Sequence, residues 1–145
     1  DLLADRRAAG SRITLIMGSP YASDLLYDRH FRELASRHSN FSYITAISRE
    51  KVDDAPKPLY VQDRFSTHRE QISPLFESGR ALLYVCGIAG MELGIFQTLA
   101  RVLKPGTLEG YLQADGEALS SIDSWDRRMI HKQIRPTRKV FLEVY

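Results

Sequence analysis

The residues at the end of the printed sequence combine a strand pattern with an aromatic side chain that could cover a flat ligand. The run 139–145 is predicted to be a strand, and it ends on Tyr145. A phenol ring in that position can stack on a flat, conjugated ring. Because such strands more often bury their aromatic residue in the core, the interpretation depends on the residues at the other strand ends.

Residues suited to a ligand also stand at the ends of the other predicted strands. They are Gly18 after the first strand, Ser48 with Arg49 after the second, and Cys86 with Gly87 at the end of the third. In parallel α/β sheets, ligands bind beyond the carboxyl ends of the strands. The sequence therefore predicts a ligand site at this edge of the sheet.

Ser48 and Arg49 together offer a hydroxyl donor and a planar guanidinium, a combination that suits a phosphate monoester. Tyr60, further along the chain, could stack on an adenine ring. Each of these residues alone is usually an ordinary surface residue, so the prediction depends on their combination.

Gly87 and Gly90 flank the start of a predicted helix. Glycine lets a ligand approach the backbone closely, and the free N–H groups at a helix start favour an anion or an electron-rich carboxamide. An ordinary strand-to-helix turn would use the same glycines. Nothing in the sequence indicates a base that would activate the Cys86 thiol, and a small buried core residue is the common role for such a cysteine.

Composition argues against several other functions. The 145 residues carry a formal net charge of +2, which is too small to indicate nucleic-acid binding. The only cysteine is Cys86, so no internal disulfide can form, and a cytoplasmic or other soluble reducing compartment fits. No apolar run approaches membrane-spanning length, and the histidines lack metal-ligand spacing. The Gly-x-Ser-x-Gly, Walker and Gly-x-Gly-x-x-Gly motifs are absent from the sequence.

Strand and helix patterns alternate along the chain. The predicted strands are Ile13–Met17, Phe41–Ile47, Ala81–Cys86 and Lys139–Val144. Strands that alternate with helices indicate an α/β fold with a three-layer, mainly parallel sheet. The length is that of one ordinary domain, residues 1–145.

Caps and breakers predict where the helices of the first half begin. Residues 1–10 are expected to be the tail of a helix, and either Ser23 or Asp24 is expected to cap the next one. Thr67 has the spacing of a capping box with Glu70, which predicts a helix that begins or continues there.

Apolar spacing predicts the helices of the second half. Pro74 should kink or restart the preceding helix, with Ser73 as a possible new cap. A further helix is predicted over 91–102, and it should stop at 104–106. The region 107–137 is predicted to form one or two helices, with apolar positions at Ile122, Trp125, Met129 and Ile130.

Taken in order, these segments resemble the NADP-binding domain of plant-type ferredoxin–NADP reductases. The matching residues are Leu25-Leu26-Tyr27-Asp28 with Phe31, Ser48-Arg49-Glu50, Tyr60-Val61-Gln62-Asp63, Tyr84-Val85-Cys86-Gly87 with Gly90-Met91, and Glu143-Val144-Tyr145. The resemblance spans the chain from Gly18 onward, except through 106–138. Diflavin reductases share several of these motifs, but the Cys-Gly-x-x-Gly-Met run and the Glu-Val-Tyr ending favour the ferredoxin–NADP reductase branch.

The resemblance implies roles for residues of the first half in binding NADP(H). Ser48 and Arg49 would hold the 2′-phosphate, and Tyr60 would stack on the adenine with Gln62 close to it. Gly18 would also belong to the cofactor-binding residues.

For the second half, the resemblance implies a site of hydride transfer. Cys86 and Gly87 would lie beside the nicotinamide, and Glu143 would lie near the transferred hydride. Met91 would also belong to the cofactor-binding residues. Tyr145 would cover the flavin ring of FAD until the nicotinamide displaces it. Hydride transfer needs the two rings face to face, so a removable aromatic lid would set both access and orientation.

The sequence also departs from the family pattern. The lysine that the family usually places two residues before the stacking tyrosine is replaced by Pro58, with Lys57 beside it, so a preference for NADP over NAD stays open. Ala89 stands where a lysine is common. The flavin domain signature and the first strand of the nucleotide domain, with its Gly-Thr-Gly-x-Ala-Pro loop, are not found in this sequence.

Family topology places that strand between the first and third strands predicted here. The expected spatial order is therefore second, first, gap, third, fourth. An unfilled gap would leave backbone donors and acceptors without partners. We therefore expect the chain to be part of a longer polypeptide, or another segment to fill the slot.

The resemblance implies an FAD-dependent reductase that passes electrons between NADPH and ferredoxin or a similar electron-carrier protein. The chain would supply the NADP(H)-binding part and would be inactive alone. Two alternatives stay open: the reductase component of an oxygenase system, which shares these motifs, and a non-catalytic nucleotide-binding or interaction module with the same fold. The sequence does not indicate the oligomeric state.

Overall fold

The computed structural model describes residue 5, residues 10–52, residue 55 and residues 57–145. The helix tail predicted at 1–10 lies outside these residues, apart from residues 5 and 10. The chain divides into two compact units, Asp1–Arg64 and Phe65–Tyr145, called the first and second unit below. The assignment of 1–145 to one domain stays a prediction.

The first unit is built on a parallel pair of strands. Strand β1 (Ile13–Ser19) pairs with β2 (Phe41–Ile47) from Ile13 opposite Phe41 to Ser19 opposite Ile47. Both strands were predicted, and β2 with these bounds. Its buried apolar residues, Phe41, Ile44, Ala46 and Ile47, supply much of the core of this unit.

Helix α1 (Asp28–Arg37) packs on β2 through aromatic rings. The Phe31 ring lies 5.3 Å from that of Tyr43 and 6.4 Å from that of Phe41, measured between centroids. The Tyr43 hydroxyl donates to Asp28 Oδ1 over 3.0 Å, which fixes the start of the helix against the strand.

The predicted cap of α1 is wrong. Ser23 and Asp24 lie in a separate 3₁₀ turn, Ala22–Asp24, and the Ser23 hydroxyl donates to the Asp24 carboxylate. The helix begins later, after Tyr27, whose backbone is left-handed with φ 57°. A left-handed tyrosine breaks the chain direction before Asp28, and no cap pattern in the sequence signals it.

Helices α2 (Val61–Thr67) and α3 (Arg69–Glu77) follow each other directly across the boundary between the two units. The helix predicted to begin or continue at this point is confirmed, because α3 begins at Arg69. The capping role of Thr67 is wrong, because Thr67 is the last helical residue of α2 and its hydroxyl lies 3.0 Å from the His68 ring nitrogen Nδ1. Pro74 lies inside α3, so the helix does not restart with Ser73 as its cap.

A second parallel pair forms the centre of the second unit. Strand β3 (Leu83–Gly87) pairs in register with β6 (Val140–Val144), Leu83 opposite Val140 and Gly87 opposite Val144. Helix α4 (Met91–Val102) follows β3 over the predicted range and buries Ile95, Phe96 and Leu99. The α/β class with mainly parallel strands is confirmed.

The pairings β2–β1 and β3–β6 are those that the predicted spatial order requires. Among the described residues no third strand joins either pair, so one edge of β1 and one edge of β3 carry no strand partner there. The gap itself, and what fills it, stays a prediction.

The predicted helices over 107–137 are wrong. This region holds short helices α5 (Pro105–Leu108) and α6 (Gly116–Leu119), two 3₁₀ turns, and an antiparallel pair of strands, β4 (Leu112–Ala114) and β5 (Ile134–Pro136). A long segment, residues 115–133, separates the two strands, so no short-range turn signal indicates that they pair. Trp125 was expected on a helix face, but it is buried in the segment between β4 and β5, where its indole N–H donates to the Ala118 carbonyl oxygen.

Candidate functional site

The second unit brings Cys86 and Glu143 side by side on adjacent strands. They are register partners in the β3–β6 pair, and both side chains are exposed. Tyr84 and Phe141, two residues earlier on each strand, stack with ring centroids 4.6 Å apart and an interplanar angle of 11°. Because side chains alternate along a strand, Cys86 and Glu143 share the face that carries this stack.

Tyr145 lies beside the turn that follows Cys86. Its backbone N–H donates to the Gly87 carbonyl oxygen over 3.1 Å, and its own carbonyl oxygen accepts from the Ala89 N–H over 2.8 Å. These two bonds fix the backbone, while the ring is 83% exposed. The side chain is therefore free to cover a ligand at this strand end.

The turn between β3 and α4 depends on two glycines with positive φ. Gly87 has φ 152°, and a Cβ atom there would lie 2.9 Å from the Met91 sulfur. Gly90 has φ 105° and precedes the first turn of α4. Glycine is required at Gly87 because the Met91 side chain occupies the space that a Cβ atom would take. We call Cys86, Gly87, Met91, Glu143 and Tyr145 the second cluster.

Sequence reasoning missed Glu92, which is only 3% exposed. Its Oε2 accepts from the Gly90 N–H over 2.8 Å, and its Oε1 accepts from Arg127 Nε over 3.0 Å. Burial alone would raise the pKa of this carboxyl, but hydrogen bonds from its own N–H, Arg127 and Gly90 outweigh it and hold the pKa below the ordinary value. The start of α4 therefore already holds a carboxylate, which favours a neutral carboxamide over a second anion.

The residues predicted to bind a phosphate lie in the first unit, where β2 ends. The Ser48 N–H donates to the Ser19 carbonyl oxygen over 3.0 Å, and the Arg49 N–H donates to that of Pro20 over 2.9 Å. The Arg49 side chain is exposed, and among the described residues no carboxylate forms an ion pair with it. The guanidinium is therefore available to an anion.

Tyr60 is held close to the same turn. The Leu59 N–H donates to the Ile47 carbonyl oxygen over 2.8 Å, so Tyr60 and Ser48 each stand one residue away from this hydrogen bond. The Tyr60 N–H donates to Asp63 Oδ2 over 2.7 Å, and the ring is 61% exposed. An exposed ring on a fixed backbone suits stacking on a flat base.

Gly18 and Gln62 complete the residues predicted in the first unit. Gly18 is exposed, and a Cβ atom there would lie 2.7 Å from Val61 Cγ1, so glycine lets the start of α2 approach β1. Gln62 is half-buried in the first turn of α2. We call Gly18, Ser48, Arg49, Tyr60 and Gln62 the first cluster.

A second residue missed by sequence reasoning is Glu50, whose Oε1 accepts a hydrogen bond from the Ala22 N–H over 2.5 Å. The sequence shows Glu50 only as the third residue of the Ser-Arg-Glu motif. Its partner is 28 positions away, and no local pattern joins the two.

The described part of the chain holds neither a metal-binding cluster nor a membrane-spanning helix. No group of three or more histidine, cysteine, aspartate or glutamate side chains there is arranged to hold a metal ion. The helices of that part are too short or too polar to span a bilayer.

Parallel strand pairs with polar residues at their carboxyl ends are typical of α/β nucleotide-binding proteins. Residues 2–96 match the family model described as the oxidoreductase NAD-binding domain. Since the match covers more than half of the chain, the chain belongs to this family of NAD(P)-binding oxidoreductase domains.

Its relatives agree with the resemblance seen in the motifs. The chain is 33% identical over 132 residues, 90% of its length, to the root isozyme 2 of the chloroplastic ferredoxin–NADP reductase of Arabidopsis thaliana, and covers 30% of that protein. It is 31% identical over 137 residues, 94% of its length, to the embryo isozyme of Oryza sativa subsp. japonica, and covers 32% of it. The resemblance to ferredoxin–NADP reductases is confirmed, and the chain spans about a third of the length of these relatives.

Proposed function

We propose that the chain is the NADP(H)-binding part of an FAD-dependent ferredoxin–NADP reductase. The observation that carries this proposal is the position of Tyr145, which is hydrogen-bonded to Gly87 while its ring stays exposed. An exposed ring that can stack is thereby held next to the Gly87 turn, where the proposal places the carboxamide. The family match and the relatives support an oxidoreductase.

In this proposal the first cluster binds the adenosine end of NADP(H). Arg49 forms a charge-assisted contact with the 2′-phosphate, together with the Ser48 hydroxyl, and Tyr60 stacks on the adenine. The fit is supported by the exposed Arg49 guanidinium and by the fixed backbone on either side of Ile47. A ligand without the 2′-phosphate gains only the stacking contact, which makes NADP the preferred cofactor over NAD.

The second cluster receives the nicotinamide. The carboxamide lies at the Gly87 turn in this proposal, and Cys86 and Glu143 line the strand end beside it. Bound FAD would supply the hydride acceptor or donor, and most of its contacts would come from outside this chain. Tyr145 would cover the flavin ring and move aside for the nicotinamide.

The partner in this proposal is ferredoxin or a similar electron carrier, as in the names of the similar proteins. A reducing compartment fits a chain whose one cysteine, Cys86, is exposed and free. The similar plant proteins are named chloroplastic, which is consistent with such a compartment.

A titration of the chain with 2′-phospho-AMP and with AMP tests the proposal. We expect 2′-phospho-AMP to bind more tightly, and Arg49→Ala to remove that difference. Arg29→Ala is the matched control, because Arg29 is an exposed arginine of the same unit that pairs only with Glu33 in the described structure. Equal binding of the two nucleotides, or an equal effect of both substitutions, would contradict the proposed role of Arg49.

A further inference from the structure

Glu50 joins the segment after β2 to the segment after β1 through its side chain. Its Oε1 accepts from the Ala22 N–H over 2.5 Å, and the two residues are 28 positions apart. The backbone bond from the Arg49 N–H to the Pro20 carbonyl oxygen, 2.9 Å long, lies directly beside it. Arg49 is therefore held on both sides, by its own N–H and by the side chain of the next residue.

Among the described residues, backbone hydrogen bonds alone do not join Ala22 to the segment after β2. Pro20 has no N–H, so it cannot donate to the strand beside it. Ala22 begins a 3₁₀ turn whose capping residue, Tyr21, makes no side-chain capping hydrogen bond. The first N–H groups of such a turn have no partner within it, and the Glu50 carboxylate supplies one by a charge-assisted hydrogen bond.

We propose that Glu50 is a positioning residue for Arg49, and that its hydrogen bond to Ala22 sets the preference for a 2′-phosphorylated nucleotide. The proposal rests on the proposed function, in which Arg49 binds the 2′-phosphate. A guanidinium presented from a fixed backbone loses less freedom on binding than one presented from a loose turn.

Charge alone predicts the opposite effect. The Glu50 carboxylate is next in sequence to Arg49, so it would repel a phosphate bound there. Removing the carboxylate would then strengthen binding of 2′-phospho-AMP. Positioning predicts that the same substitution weakens binding, so the sign of the change separates the two explanations.

Three variants and a control isolate the hydrogen bond. Glu50→Ala removes the acceptor, and Glu50→Gln keeps an acceptor oxygen without the charge. Ala22→Pro removes the donor and leaves the Glu50 charge in place; proline suits the first position of a helical turn, and Tyr21 is extended with φ −128° and ψ 151°, as a residue before proline requires. Glu33→Ala removes an exposed carboxylate elsewhere in the same unit.

We expect Glu50→Ala and Ala22→Pro each to weaken binding of 2′-phospho-AMP by about tenfold, the lower limit for one charge-assisted hydrogen bond, and to change AMP binding much less. The double variant should bind no more weakly than either single variant, because both remove the same bond. Glu50→Gln keeps a weaker, uncharged acceptor and should lose less affinity than Glu50→Ala. Glu33→Ala should bind 2′-phospho-AMP like the unchanged chain. Tighter binding in Glu50→Ala, equal losses for both nucleotides, or no effect of Ala22→Pro would overturn the proposal.

Hydrogen exchange at the Arg49 amide gives a readout that needs no nucleotide. Glu50→Ala and Ala22→Pro should accelerate this exchange, whereas amides in the middle of the β1–β2 pair keep their protection and show that the unit is folded. Unchanged exchange at Arg49 would overturn the positioning role even if binding changed. If the unchanged chain does not prefer 2′-phospho-AMP, the proposed function fails, and the exchange rates still decide whether Glu50 positions Arg49.

Discussion

The N–H of Tyr145 donates a hydrogen bond to the carbonyl oxygen of Gly87 over 3.1 Å. This bond extends the pairing of β3 and β6 by one residue, so the Tyr145 backbone is fixed at the strand end and its ring lies outside the core. A second bond, from the Ala89 N–H to the Tyr145 carbonyl oxygen, closes the turn on its other side. The backbone of Tyr145 is therefore tied to the Gly87 turn, while its exposed ring stays free to move.

Gly87→Ala should destabilise the chain. The positive φ of 152° is unfavourable for alanine, and the added Cβ would lie 2.9 Å from the Met91 sulfur. The backbone strain should cost about 1–3 kcal/mol in the free energy of unfolding, measured by urea denaturation. The double variant with Met91→Ala keeps the strain and removes the close contact; if Gly87→Ala alone is as stable as the unchanged chain, the turn does not require glycine.

Glu92→Ala should destabilise the second unit by about 1–3 kcal/mol, because it leaves the Gly90 N–H and the Arg127 guanidinium without their acceptor. This loss of stability is smaller than the loss expected from breaking a fully buried ion pair, because the Arg127 side chain is half exposed. Urea denaturation measures the loss. Glu117→Ala, which removes an exposed carboxylate in the first turn of α6, is the control and should have little effect.

The stability of the chain at acidic pH should also depend on Glu92. Its pKa in the folded chain is below the ordinary value of 4.5. The ionised carboxylate therefore contributes fully to the free energy of unfolding above pH 4.5, and this contribution is lost as the pH falls through the folded pKa. Denaturation curves collected across this acidic range should show a smaller loss of stability in Glu92→Gln than in the unchanged chain. Parallel pH profiles for the two proteins would contradict the assigned role of the carboxylate.

The contribution of Tyr43 to the stability of the folded chain should be lost at alkaline pH. Burial, and then its hydrogen bond to Asp28, raise the pKa of Tyr43 from 10.0 to about 12. A raised folded pKa means that stability is complete below pH 10.0 and declines as the pH rises toward about 12. Tyr43→Phe should lack this decline, as followed by unfolding at increasing pH; an identical decline in that variant would show that another group is responsible.

The sequence predicts elements best where the signal is local. All four predicted strands exist, because each is a short apolar run with turn residues beside it. The pairing of β4 with β5 was not predictable in this way, since its partners, such as Gln113 and Arg135, are far apart in the chain. Tertiary contacts decide such pairs, and helix spacing in the intervening residues suggested the wrong structure.

The same limit applies to the candidate site. Residues at strand ends, such as Cys86, were identified because the position of a strand end can be inferred from one segment. Glu92 and Glu50 were missed as site residues, because their importance comes from Arg127 and Ala22, which lie far away in sequence. A carboxylate acquires such a role only when the fold brings a distant donor to it.

The central claim is that the turn beside Tyr145 receives the nicotinamide of NADP(H). The most direct test follows the backbone amide resonances of Gly87 and Ala89 during titration of the chain with NADP⁺ and, separately, with 2′-phospho-AMP. We predict that NADP⁺ shifts both resonances and that 2′-phospho-AMP, which lacks the nicotinamide, leaves them unchanged. Resonances that do not shift with NADP⁺, or that shift equally with both ligands, would contradict the claim.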